Sequence, residues 1–116
     1  MQQANYKFTH IKGDTFEEVL FRLKINGVDV NLTGATIKMQ LKQNPTTSTA
    51  ALTLTSVGSA GITITSPTTG QFKINEQIIN IEPYNYSYDL EIKFADNTVK
   101  TYISGTFNII QDITVI

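Results

Sequence analysis

Apolar and polar side chains alternate one by one along most of this chain, and the longest such run lies between Tyr84 and Ile110. Tyr86, Tyr88, Leu90, Ile92 and Phe94 share one parity, with Ser87, Asp89, Glu91 and Lys93 on the other. Successive side chains of a strand point to opposite faces, so the aromatic and aliphatic set predicts a core face and the charged set a wet face. Ala95-Asp96-Asn97-Thr98 predicts a tight turn, because Asp and Asn tolerate the left-handed backbone that hairpins need. Val99, Thr101 and Ile103 then continue one face of a returning strand, and Gly105 interrupts the run before Phe107 and Ile109.

The same reading covers the rest of the chain. Met1 to Asn5 is a loose lead-in, and Tyr6, Phe8 and His10 alternate with Lys7, Thr9 and Ile11 as a first strand suited to an edge. After the Gly13-Asp14-Thr15 turn, Val19, Phe21, Leu23 and Ile25 form the apolar face of a second. Asn26-Gly27 is the strongest hairpin signal present, since both residues accept positive φ. Val28, Val30 and Leu32 follow, then Ala35, Ile37, Met39 and Leu41, each set on one parity. Gln43 to Thr49 is polar around Pro45 and reads as an exposed loop. Leu52 with Leu54, Ile62 with Ile64, and Phe72 with Ile74 predict three more short strands, the last two separated by a Ser66-Pro67-Thr68-Thr69-Gly70 turn. Asn75 to Ile81 breaks the alternation and predicts one helical turn before Glu82-Pro83. The sum is about eight to ten short strands with turn signals roughly every 8 to 12 residues, the signature of an antiparallel β-sandwich.

A chain of 116 residues makes one domain. Hydrophobic residues at 41% can fill its core. A formal net charge of −1, with nine basic residues scattered singly, lacks the electrostatic footprint of a nucleic-acid or anionic-membrane binder. The absence of cysteine excludes disulfides and thiolate metal sites. Met1 to Asn5 does not resemble a secretory signal, and no apolar run approaches the roughly 20 residues of a membrane helix.

Candidate chemistry is sparse. His10 is the single histidine and has no carboxylate at ligand-like spacing, so its plain reading is a packing or strand-edge residue. No serine lies in a Gly-x-Ser-x-Gly pattern. Asp89 and Glu91 project from one strand face; paired carboxylates can hydrolyse glycosides in a suitable cleft, but a solvated face balanced by Lys93 and Lys100 accounts for them. Asp96-Asn97 lacks the further ligands of a calcium loop. No cofactor is expected. Tyr86 and Tyr88 belong to the core parity, and Pro83-Tyr84-Asn85-Tyr86 looks like a tyrosine corner, in which a hydroxyl bonds a nearby backbone group. Tyr102 shares parity with Lys100 and is therefore the expected exposed aromatic.

Four segments in order resemble a known family: Gly13-Asp14-Thr15, Asn26 to Thr36, Pro83 to Leu90, and Gly105-Thr106-Phe107-Asn108-Ile109. They are similar to the immunoglobulin-like domains of bacteriophage virion proteins, especially the N-terminal domain of the phage baseplate upper protein family. The family's Gly-x-x-x-Asp-Leu-Thr-Gly-Ala-Thr segment has Asn31 in place of its Asp. Its Pro-Gly-x-Tyr segment has Tyr84 in place of its Gly, and its Asp-Gly turn has Asn97. The resemblance spans roughly residues 11 to 112. It implies an immunoglobulin-like antiparallel β-sandwich and a non-enzymatic virion component, made in the host cytoplasm and packed against copies of itself or other virion proteins in tail, baseplate or capsid.

Two function classes follow. Structural assembly would use edge strands, the N-terminal arm and the C-terminal strand or tail of residues 111–116, with Ile113, Val115 and Ile116 as candidate contacts. A carbohydrate- or receptor-binding adhesion module would use Tyr102 and the loop near Pro45 on a host surface glycan.

Overall fold

The hairpin at the centre of the molecule is built as its alternation dictates. In the computed structural model, which describes residues 4–46 and 49–113, β12 (Tyr84–Lys93) and β13 (Val99–Ile110) pair antiparallel along nearly their whole length. Tyr86, Tyr88, Leu90 and Ile92 all point inward and are buried, while Asp89 and Lys93 stay in solvent. Asn97 takes φ +70° at the turn. Its N–H bonds the Phe94 carbonyl, and Asp96 Oδ1 accepts the Thr98 N–H.

The other strands, in chain order, are β1 (Ala4–Asn5), β2 (Phe8–Ile11), β3 (Thr15–Phe16), β4 (Val19–Arg22), β5 (Lys24–Ile25) and β6 (Val28–Asp29). After them come β7 (Thr36–Lys42), β8 (Leu52–Thr55), β9 (Ile62–Ser66), β10 (Gln71–Ile74) and β11 (Gln77–Ile78). The larger sheet runs β1-β13-β12-β7-β8, with β2 also on β13 and both N-terminal strands parallel to it. Ala4 and Asn5, expected as a loose arm, are thus paired to Ile103 and Ser104. The smaller sheet runs β4-β10-β9. Two short pairs, β3 with β11 and β5 with β6, complete the all-β sandwich. Asn26 and Gly27, both at positive φ, close the β5–β6 hairpin as their residue types predict.

A continuous hydrophobic core lies between the sheets. Ile37, Met39, Leu41, Tyr86, Leu90, Ile92 and Phe107 face Leu32, Ile62, Phe72 and Ile74 from across it. Burying each such side chain contributes roughly 1.5–3 kcal/mol. A parallel bridge from Thr55 to Gly61 ties the two sheets at the β8–β9 seam. At the opposite end of the core, Tyr86 Oη donates to the Glu82 carbonyl at 2.6 Å, the bond expected of a tyrosine corner.

Two further expectations fail. Asn75 to Ile81 forms no helical turn: Gln77–Ile78 is strand β11, with Ile78 68% exposed and Ile79 buried. Adjacent isoleucines on opposite faces are what an extended backbone produces, and pairing with β3 holds it extended. Tyr102 is 7% exposed, not a surface aromatic. The β12–β13 register shifts between Leu90 and Glu91, whose partners are Ile103 and Thr101, so Tyr102 is an extra residue on β13. A bulge of this kind switches the parity of everything beyond it. Tyr102 and Ile103 consequently both turn inward, and the Tyr102 ring meets Phe94 edge-on at 6.2 Å.

Candidate interaction surfaces

Of the four side chains expected to contact partners, the structure places two. Tyr102 is interior, so the exposed aromatics among the described residues are Tyr6 and Tyr84. Ile113 is 95% exposed just beyond β13. Val115 and Ile116 lie outside the described residues, as do Thr47 and Ser48 of the loop after β7. His10 packs edge-on against Phe16 at 5.4 Å, and its Nε2–H donates to the Asp14 carbonyl at 2.9 Å. Those contacts fit the packing role. Among the described residues no three His, Asp or Glu side chains group as metal ligands would.

The outer face of the larger sheet forms an open trough of about 600 Å³. Its floor follows from register. Gln40, Asp89 and Ser104 make one row across β7, β12 and β13, and Lys42, Ser87 and Thr106 make the next. Asn5 and Lys7 form one wall, and Pro45 overhangs the other. Asp89 and Glu91 therefore sit together on a sheet face, and the lysines lining the trough with them are Lys7 and Lys42 rather than Lys93 and Lys100. They line an open trough rather than a closed cleft, which agrees with the solvated-face reading.

Gly105 explains how the N-terminal strands reach this sheet. It stands opposite Tyr88, and a Cβ there would collide with the Tyr6 carbonyl oxygen. The missing side chain lets the chain run close alongside β13. Tyr88 Oη then donates to that same carbonyl at 2.6 Å, and the Tyr6 N–H bonds Ser104 O at 3.0 Å. Burial first, and the neighbouring Tyr6 second, raise the Tyr88 hydroxyl far above its ordinary pKa. It stays a proton donor throughout the physiological range.

The surface that sequence reasoning did not single out is the free edge of β4. Among the described residues β4 pairs only with β10. The Leu23 N–H bonds Gly70 O, continuing the Arg22–Gln71 register, so odd-numbered residues turn their backbone groups toward β10. The N–H and C=O groups of Glu18, Leu20 and Arg22 point the other way, off the sheet. Leu20 beside them is 69% exposed. Arg22 holds Asp29 through two bonds of 3.1 and 2.9 Å, which keeps the Asp29 carboxyl below the usual range. Glu18 lies 3.6 Å from Lys73. The alternation of Val19 and Phe21 announced this strand, but only pairing shows that its far side has no neighbouring strand among the described residues.

No protein-family model and no curated protein matches this chain.

Proposed function

We propose that this chain is a non-enzymatic virion component of a bacteriophage, an immunoglobulin-like sandwich acting as an assembly module in a tail, baseplate or capsid. The observation that carries the reading is the filled interior. No polar or charged residue among those described is buried, and Tyr86, Tyr88, Leu90 and Ile92 all belong to the hydrophobic core. Partners are left the outer faces, the strand edges and the chain ends. Strand order supports the immunoglobulin-like part: β2-β13-β12-β7-β8 over β4-β10-β9 follows the arrangement of a variable-type domain, and Tyr86 occupies its tyrosine corner. The four segments similar to phage baseplate upper proteins support the virion setting. Quantitative proteomics of purified particles from a phage encoding the chain tests it. Peptides at fixed stoichiometry with other virion proteins are expected, and their absence from particles refutes the reading.

The trough favours a second reading, a host-glycan adhesion module. Its charges, Asp89 and Glu91 against Lys7 and Lys42, balance, and its hydroxyls and amides both donate and accept, as a neutral oligosaccharide requires. On that reading, neutral oligosaccharides raise the melting temperature of the chain and Asp89→Ala abolishes the rise. A melting temperature unmoved by saturating glycan removes it.

A further inference from the structure

We propose that two copies of this chain pair edge to edge through β4, antiparallel about a two-fold axis at Leu20, merging their smaller sheets into one. The argument begins with the backbone. Among the described residues the outward N–H and C=O groups of Leu20 and Arg22 have no strand to pair with, and an unpaired edge is a template for strand addition. Natural edges are usually blunted by charge, proline or a bulge. Here the edge carries an exposed leucine at its centre, with one acid and one base placed evenly around it.

That spacing decides the partner. Residues 18, 20 and 22 share the outer face of the strand, as Glu18, Leu20 and Arg22. In an antiparallel pairing centred on Leu20, position 20 faces its own copy, and positions 18 and 22 face each other twice. Leucine therefore meets leucine, and Glu18 meets Arg22 of the second copy on both sides of the axis. Arg22 gives Nε and Nη2 to Asp29 and keeps further N–H donors for the incoming carboxylate. On the inner face Val19 meets Phe21 twice, extending the apolar layer. Any shift of register by two residues would strip Leu20 of its twin and set it opposite Glu18 or Arg22. A second copy thus satisfies this edge better than an arbitrary strand does.

The route is also open. The β5–β6 hairpin does not cover the free side, because Leu23 accepts from the Val30 N–H on the same side that bonds Gly70. The hairpin continues the line of β10 and leaves the other edge of β4 clear. The pairing supplies the assembly reading with a specific contact and rests on that reading only for its biological setting. Particle proteomics tests the setting, and solution size tests the pairing.

Sedimentation equilibrium of the whole chain is expected to show a reversible dimer of the 12.9 kDa protomer. Leu20→Lys sets two cations on the axis and is expected to leave a folded monomer. Glu18→Lys is expected to weaken dimerisation roughly tenfold or more. A single cysteine gives the decisive geometry, since the chain has none of its own. Facing residues of a hydrogen-bonded antiparallel pair have Cα atoms about 5.5 Å apart, within the roughly 4.4–6.8 Å that a disulfide spans. Leu20→Cys should therefore oxidise to a covalent dimer, and Val57→Cys, equally exposed on a distant turn, should not. A strict monomer up to about 1 mM, or equal crosslinking at positions 20 and 57, overturns the proposal.

Discussion

Replacing Gly105 by alanine tests the tightest approach in the molecule. The added Cβ would collide with the Tyr6 carbonyl oxygen, so the segment joining β1 to β2 must move off β13. Overpacking against backbone costs about 1–3 kcal/mol. The displaced carbonyl also loses the Tyr88 hydroxyl, a bond contributing about 0.5–1.5 kcal/mol. Together these predict a destabilisation of about 2–4 kcal/mol for Gly105→Ala. At roughly 4 °C per kcal/mol for a chain of this size, the melting temperature should fall by roughly 8–16 °C. Differential scanning calorimetry measures the fall, and amide exchange at Tyr6, whose N–H bonds Ser104 O, locates it. Tyr88→Phe alone should cost about 1 kcal/mol. Because both substitutions release the same carbonyl, the double variant should cost less than the sum of the singles. A melting temperature within about 2 °C of the parent for Gly105→Ala, or strict additivity in the double variant, refutes the reasoning.

Tyr86→Phe removes the corner bond to the Glu82 carbonyl and should cost about 1–1.5 kcal/mol by urea unfolding, with no change in the fold. Tyr102→Ala should cost about 3–5 kcal/mol because the ring is interior; Val99→Ala, at a half-exposed site on the same strand, should stay within about 0.5 kcal/mol. Burial raises the hydroxyls of Tyr86, Tyr88 and Tyr102 above their ordinary value. The unfolded chain releases those protons near pH ~10 and the folded chain holds them. Their contribution is therefore intact below pH ~10 and is lost as pH rises beyond it, so the urea midpoint should fall between pH 9 and 11, roughly, and fall less in Tyr88→Phe.

The alternation of side chains was enough to place β4, β7, β10 and β12 and to choose the inner face of each. Face selection is a property of neighbouring residues: a strand with tyrosine, leucine and isoleucine on one parity has only one side it can bury. The turns were legible for the same reason. Asn26, Gly27 and Asn97 adopt left-handed backbone by residue type, whatever surrounds them. The tyrosine corner, too, was written locally, since Tyr86 reaches back only as far as Glu82.

Tyr102 shows where that information runs out. Its parity with Lys100 is real, but the bulge opposite Leu90 and Glu91 adds a residue to one strand only, and a bulge exists only when two strands pair. Strand β11 is similar, because β3, more than 60 positions away, keeps it from coiling. The trough needs three strands in register with Pro45 above them. The free edge of β4 needs knowledge of which strand does not lie beside it. Local chemistry chose the elements and their inner faces; long-range backbone pairing chose the neighbours, and with them the surfaces left for other molecules.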